Sequence, residues 1–457
     1  WSRYEHRIRG MAGLGRLDEN WTSPGPAAQC NAHVDVLVVG MGPAGLSAAL
    51  AAALNGETVI VVDEHWQAGG ALRHRDQDAT INGLPAIDWV EQTFARIREA
   101  GATVLTGTTA FGIYDHLMVG LNQRHRDGQR DTLWRVRAKR IVLATGAIER
   151  PLPFANNDLP GVMSADAGLA FLRHHAVVSG KQIVVASNNS SAMEVAAAMA
   201  AAGAKVTVVD QRKDAGGAAK GVTLFAGRRV VEAIGRLEVT GVVLDDGTRL
   251  PADAVLVSGG WTPTVHLFSQ AKGKLDFSDA LQTFVPGTPA ENVSVVGAAN
   301  GNFLLPDIHA KTTGATVSYS ISAAWPTPGQ KGRVWIDYQN DVTAKDVELA
   351  ARENFTSVEH LKRYTTLGMA TDQGKTSNLN GLALMADITG RSIPEVGTTT
   401  YRPPFTPVPI ASFAGRRSGI LFNPVRRLPL ENVHRDDGAT FQEYGGWLRP
   451  AFYGKGN

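Results

Sequence analysis

The stretch VDVLVVGMGPAGLSAALAAALNGETVIVVDE, residues 34–64, runs an apolar strand into Gly40, Gly42 and Gly45, then into a helix of small residues and a second apolar strand. Each glycine meets a requirement of a turn that receives a pyrophosphate. The first permits the tight strand-to-helix turn, the second lets backbone approach the phosphates, and the third lets helix pack closely on strand. The helix N-terminus then faces the phosphates with the positive end of its dipole. The second strand ends at Asp63, 18 residues beyond Gly45, near the spacing of an acid that hydrogen-bonds a ribose hydroxyl. Strand, helix, strand and acid together read as a dinucleotide site rather than a packing-only glycine turn.

Downstream come the pair Gly69 and Gly70, a helix around Trp89 to Ala100, a meander of strands, and RIVLATGA, an apolar strand ending in Ala144, Thr145 and Gly146. That ending resembles the way two-dinucleotide flavoprotein folds return the chain to the first nucleotide site. After the proline-rich loop ERPLPFANNDLPGVM, the segment KQIVVASNNSSAMEVAAAMAAAGAKVTVVDQ repeats the first rhythm, with Asp210 standing where Asp63 stood. The glycines do not recur. Their places hold Ala186, Asn188 and Ser191, side chains that crowd a pyrophosphate or the helix–strand contact. This half is expected to keep a Rossmann-like fold and to have lost its nicotinamide cofactor.

The chain then closes through DAVLVSGGWTPTVHLF and NVSVVGAANGNFLL. In the glutathione reductase-like architecture this last strand ends in Gly-Asp, the acid holding the ribityl chain of FAD. Here the pair is Gly297 and Ala298. Alanine accepts no such hydrogen bond, which favours NAD over FAD in the intact site. The expected class is therefore α/β, with glutathione reductase-like tandem Rossmann domains, a small C-terminal helical module and an extended tail. Residues 1–33 read as an irregular arm with Trp1, Tyr4 and Trp21 as aromatic anchors around the Pro24, Gly25, Pro26 run. Residues 34–165 and 290–325 read as the first dinucleotide-binding domain, 166–289 as the degenerate second, 326–400 as the helical module, and 401–457 as an extended, proline- and arginine-rich segment.

The composition narrows the chemistry. Across 457 residues, 45 Lys and Arg against 43 Asp and Glu leave a net charge of +2, without the basic footprint of a nucleic-acid binder. Cys30 is the one cysteine, which excludes an intramolecular disulfide, a redox thiol pair or a four-thiolate metal site within this chain, and fits a reducing, cytoplasmic setting. No apolar run approaches the roughly 20 residues that cross a bilayer, and the first residues lack the apolar core of a signal peptide. Position 1 is Trp, so the sequence reads as starting downstream of a native start. Gly374, Lys375 and Thr376 suggest a phosphate loop, but Gly368 lies one residue too far away for GxxxxGK[ST] and no apolar strand leads in. His174 and His175 are adjacent, yet no metal spacing accompanies them, and they read as exposed or hydrogen-bonded side chains. No catalytic residue and no metal ligand is assigned to this chain.

SGGWTPTVHLFSQ (258–270), VSVVGAANG (293–301), RYTTLGMATDQGKTSN (363–378) and TTTYRPPFTPV (398–408) resemble, in the same order, the alpha subunit of heterotetrameric sarcosine oxidase. The similarity spans nearly all of Val34 to Pro450. It implies an NAD-holding alpha chain paired with a beta subunit that carries FAD, shares an FMN near the interface and oxidises the amine; smaller gamma- and delta-like subunits complete the assembly. The implied reaction is oxidative demethylation of sarcosine to glycine, yielding peroxide and either formaldehyde or methylene-tetrahydrofolate. The implied NAD pocket comprises Gly40, Gly42, Pro43, Ala44, Gly45, Asp63, Glu64, Gly70, Ala110, Thr145, Gly146 and Gly297. Lys375 and Arg363 are candidates to meet a flavin phosphate, with a solvated helix face as the plain alternative. Related amine dehydrogenases carry iron-sulfur cysteines around Met369, whereas Thr371, Thr376 and Ser377 stand here. Complete alpha subunits continue into a folate domain, so the sequence reads as a fragment or as a shorter relative. An amine or opine dehydrogenase subunit, and a structural nucleotide-binding scaffold, are the other readings.

Overall fold

In a computed structural model the described residues are 2–11, 20, 25–76, 78–126, 130–305, 312–313, 319–417 and 419–454. They divide into two compact units, one of Trp1–Gln29, Arg124–Leu133 and Pro409–Asn457, the other of Cys30–Gln123 and Trp134–Val408.

The larger unit begins with β1 (Ala28–Val39), α1 (Pro43–Leu54) and β2 (Val59–Val62). β1 and β2 pair in parallel, Val36 opposite Val59 through Val39 opposite Val62, and the paired residues of both are buried, β-branched or apolar. Parallel strands covered on both faces have this composition. After α2 (Ala86–Glu99) come β3 (Thr103–Leu105), β4 (Thr108–Tyr114), β5 (Met118–Gln123) and β6 (Thr132–Leu143). The sheet order is β3-β2-β1-β6-β5-β4, the last strands forming the antiparallel meander. α1 is built of Pro, Ala, Leu, Gly and Ser, residues that form helix readily or are small enough for close packing. It buries Leu46, Ala49, Ala52 and Ala53 against a core shared with Val36, Val38 and Val61.

β7 (Ala147–Glu149) leads to β8 (Val162–Ser164), α3 (Ala165–His175), β9 (Gln182–Ser187), α4 (Ala192–Ala201), β10 (Lys205–Asp210), β11 (Val222–Ala226) and β12 (Ala254–Ser258). Their sheet, ordered β8-β12-β9-β10-β11, is parallel throughout. Thus the second Rossmann-like sheet forms despite its missing glycines. Its limits differ from the sequence-based ones: β8 lies in the second sheet, while Leu267 and Phe268 already pack into the first sheet's core with Leu37 and Val39. The chain returns at β13 (Val293–Val295), which pairs in parallel with β6 at Ile141–Leu143. The helical module follows as α5 (Ala344–Arg352), α6 (Val358–Thr365) and α7 (Asn378–Thr389), closed over Val347, Leu361, Leu384 and Met385.

The smaller unit departs from the expected irregular arm and extended tail. Ser2–Met11 is helical and carries the exposed Tyr4, whereas Trp1, Trp21 and Pro24 lie outside the described residues. Within the C-terminal stretch, Ala439–Tyr444 and Trp447–Tyr453 pair as an antiparallel hairpin turning at Gly445 and Gly446, both at positive φ. Pro450 lies within the second strand, opposite Phe441, beside a register shift between Thr440 and Phe441. No described helix is long and apolar enough to cross a membrane.

A Cβ built on Gly45 would fall 1.9 Å from the Gly40 carbonyl oxygen and 3.1 Å from the Ala144 Cβ. Gly45→Ala is therefore expected to lose about 1–3 kcal/mol of stability through forced separation of α1 from the sheet. Denaturant unfolding checks this, and an unchanged midpoint would refute the close-approach account.

Candidate dinucleotide site

The first βα turn is built from three glycines with different reasons for being there. Gly40 has φ +104°, and a Cβ on it would lie 2.2 Å from the Ala144 carbonyl oxygen. Gly45 is fixed by the contact just described. Gly42 is different: it caps α1 in an extended conformation, and a Cβ on it would meet no atom within 4 Å. Nothing in the protein requires glycine at 42, so open space before a helix end is what its lack of a side chain provides. Pro43 occupies the first turn of α1, where a missing N–H costs nothing, and the remaining first-turn amides lack carbonyl partners inside the helix.

The carry-over residues gather around this turn. A Cβ on Gly70 would lie 3.0 Å from the Gly42 Cα, and one on Gly297 would lie 2.7 Å from the Ala44 Cβ. The Gly69 amide donates to the Met41 carbonyl at 2.8 Å, tying the Gly69–Gly70 turn to the loop. Ala144 hydrogen-bonds Val39, which brings Thr145 and Gly146 alongside. Gly146 has φ +71° and, like Gly42, opens onto empty space. The Thr145 hydroxyl donates to the Thr264 carbonyl at 2.7 Å. Ala110, on β4, is buried in the apolar core with Leu37, Val39 and Ile60.

Asp63 is 8% exposed, and its two oxygens accept the backbone N–H groups of Met41 (2.6 Å) and His65 (2.8 Å). Its carboxylate therefore holds the glycine loop to the end of β2. The next residue, Glu64, is exposed and shares the field of Lys375, whose charge it favours. In the second unit, Asp210 is engaged by its neighbour: Arg212 donates from Nε at 3.1 Å and Nη2 at 2.8 Å, both side chains buried.

Two groupings carried no sequence signal because they assemble only in three dimensions. Just past the Gly70 turn, Arg75 pairs with Asp166 and with Glu194, both at 2.9 Å, and lies 5.1 Å over the Trp261 ring. Asp166 also meets His74 at 3.0 Å, and its amide donates to Glu149 at 2.7 Å. Burial and then the Asp166 charge push the Glu149 carboxyl up to about 7. Burial would raise Asp166 too, but His74 and Arg75 hold it below the usual carboxylate range. His174, expected to be exposed or hydrogen-bonded, is exposed with its ring edge-on to His74, and among the described residues no cluster is suited to a metal.

The second grouping is a small cavity between the Thr262–His266 turn and the helical module. His266 is buried and stacks on Phe405 at 4.0 Å, and neither ring nitrogen has a hydrogen-bond partner. Burial, then the Lys375 charge, push it down to about 3, so it is neutral. Lys375 lies 4.7 Å over Phe405, and burial lowers its pKa. Arg363 instead turns back onto its own helix, donating to the Glu359 carbonyl at 2.8 Å and pairing with the Glu359 carboxylate. Of the two proposed flavin-phosphate cations, only Lys375 borders this cavity.

The tandem sheets and this turn define an oxidoreductase fold of the dinucleotide-binding class. Residues 34–313 match the pyridine nucleotide-disulphide oxidoreductase family, and the chain belongs to it. Residues 331–416 match the sarcosine oxidase A3 domain. Over 97% of its length the chain is 38% identical to sarcosine oxidase subunit alpha of Corynebacterium sp. (strain P-1), and over 99% it is 36% identical to that of Rhizobium meliloti (strain 1021). It spans 51% and 49% of those relatives, about half the length of each. L-proline dehydrogenase from P. horikoshii shares the fold, with a TM-score of 0.68 at 23% identity, covering 86% of this chain and 81% of that one.

The raised Glu149 pKa stabilises the fold below its ordinary value of 4.5, and that contribution is lost as pH rises through about 7. Glu149→Gln keeps an acceptor for the Asp166 amide and removes the titration. Unfolding free energy followed in urea should fall less steeply for this variant between these two pH values, and the variant should be the more stable at pH 8; identical pH profiles would contradict the assignment.

Proposed function

We propose that this chain is the NAD-binding alpha subunit of a multi-subunit sarcosine oxidase-like flavoenzyme of the cytoplasm. The observation that carries the nucleotide is Gly42, where the backbone leaves room before a helix end for which the protein itself has no use. Around it, Gly40, Pro43, Ala44, Gly45, Gly70, Gly146 and Gly297 would form the cradle, and Thr145 would hold the far wall. Asp63 keeps the loop in shape, and Glu64 is the exposed carboxylate positioned to meet a ribose. Ala110 would act through the core behind the site. Ala298 at the end of β13 offers no acceptor for a ribityl hydroxyl, which supports NAD over FAD here.

The reaction is the oxidative demethylation of sarcosine: with oxygen and water it gives glycine, formaldehyde and hydrogen peroxide, or methylene-tetrahydrofolate when folate takes the carbon. The bound flavins supply the hydride and electron chemistry, FAD on a beta subunit and FMN at its interface with this chain. The contribution of this chain is to bind and orient. Lys375, partly desolvated beside Phe405, would present a cation to the FMN phosphate, while neutral His266 supplies one donor and one acceptor without adding charge. Gamma- and delta-like subunits would complete the assembly. The relationship to sarcosine oxidase subunits alpha over nearly the whole chain supports this reading.

Native mass spectrometry of the assembly, followed by acid release and identification of each nucleotide, tests the proposal. NAD and FMN together with partner chains are expected, whereas FAD released from this chain alone would overturn the cofactor assignment. Gly42→Val should strip the nucleotide while the fold survives, since the new side chain enters open space; a purified variant with a full complement of NAD would exclude the site. Asp63→Ala should remove the carboxylate that accepts the Met41 and His65 amides, costing roughly 1–3 kcal/mol. Weaker nucleotide retention on dialysis should accompany it, and full retention would count against its role.

A further inference from the structure

The turn that replaces the glycine loop in the second Rossmann unit is covered by the chain itself. Residues 319–325, Tyr-Ser-Ile-Ser-Ala-Ala-Trp, lie across it as an extended strap. The Ser190 amide donates to the Ser320 carbonyl at 3.0 Å, and the Ser190 hydroxyl accepts the Ser320 amide at 3.1 Å. Asn189 and Ile321 form an antiparallel bridge. The Asn188 carbonyl accepts the Ser322 amide at 2.9 Å, and its side-chain amide donates to the Ser322 carbonyl at 2.7 Å. Past the end of β10, Gln211 donates to the Ala323 carbonyl at 2.6 Å and Arg212 reaches the Ser320 hydroxyl. At the far end, Arg150 lies 4.8 Å over the Trp325 ring.

These contacts occupy the positions a dinucleotide would use. The Ser320 carbonyl sits just before the N-terminus of α4, where a phosphate oxygen would otherwise be, and Arg212 neutralises the acid at the end of β10. The residues that stand in the glycine loop supply the bonds. Asn188 and Ser190 use side-chain atoms that glycine lacks, and Asn189 braces the turn from below, donating to the Ser258 carbonyl at 3.0 Å and accepting the Ser191 amide at 3.1 Å. Asn188 in place of a glycine, with Ser190 two residues on, thus supplies a donor and an acceptor matched to an extended backbone, the recognition mode of an added strand.

We propose that the second Rossmann unit is a peptide-binding site whose ligand is the chain's own segment 319–325, and that it fixes the entry of the chain into the helical module instead of holding a nucleotide. Hydrogen exchange on the whole protein in its native assembly, with and without saturating NADH, tests this. The amides of Ser190, Ser320 and Ser322 should exchange slowly and be unmoved by NADH. Exchange as fast as in an open loop, or NADH protection at 186–191, would overturn it. In Asn188→Gly combined with Ser190→Gly, exchange at Ser320 and Ser322 should accelerate roughly tenfold or more. Unchanged exchange would refute the proposal. Arg212→Lys keeps a charge beside Asp210 and removes the reach to Ser320, so it should loosen Ser320 in the same direction even if the double variant fails to fold; unaltered Ser320 exchange there would count against the strap as ligand.

Discussion

The structure depends on one close approach: the Gly40 carbonyl, the Gly45 Cα and Ala144 meet where no side chain has room. That contact draws the start of α1 down onto β1 and brings the returning β6 within reach of the same turn. Three separate stretches of sequence therefore converge on the space before Gly42. Asp63 completes the arrangement, since a nearly buried carboxylate accepting two loop amides resists rearrangement of that loop. These protein contacts fix the shape of the loop around the space before Gly42.

The second unit shows the same architecture with its chemistry redirected. Its sheet and helix keep the parallel order, yet the acid at the end of β10 faces Arg212 and the turn is bonded to a strap. A fold can tolerate that change because its stability lies in the apolar layers, Val184, Val185, Val206 and Val208 among them, rather than in the loop. Between the two Rossmann sheets, both within the larger unit, Arg75 and the carboxylates of Asp166, Glu194 and Glu149 form a network in which the Arg75 cation keeps neighbouring acids compatible with burial. Removing one partner there would strand another charge, so the network favours a single arrangement of its members.

Residues 34–64 and 181–211 were legible in the sequence because their elements are local: apolar strand, turn and small-residue helix follow one another without interruption. The return of β13 to β6 was readable for the same reason, as an apolar strand ending in glycine. Less legible was anything assembled from distant segments. Nothing in ATDQGKTSN alone places Lys375 beside Phe405, and nothing in YSISAAW marks it as the partner of NNSS. Asp63 illustrates a subtler limit. Its spacing predicts an acid at the end of β2 but not which of two adjacent carboxylates faces the loop, because both lie past the last residue of β2, where Asp63 accepts the Met41 and His65 amides and Glu64 is exposed. The short C-terminal hairpin was obscured by Pro450, which sits within its second strand opposite Phe441.

In the helical module a buried carboxylate orders the loop between α6 and α7. Asp337, 1% exposed, accepts the amides of Gln339 at 2.9 Å and Gly368 at 2.7 Å, and so joins the strand before α5 to the turn after α6. Gly368 and Gly374 both adopt positive φ, and a Cβ on either would strike the Asn378 side chain at the start of α7. These contacts confine the loop from both ends and leave Lys375 at its edge, next to the cavity with His266. Hydrogen bonds to one carboxylate thus fix the loop between α6 and α7.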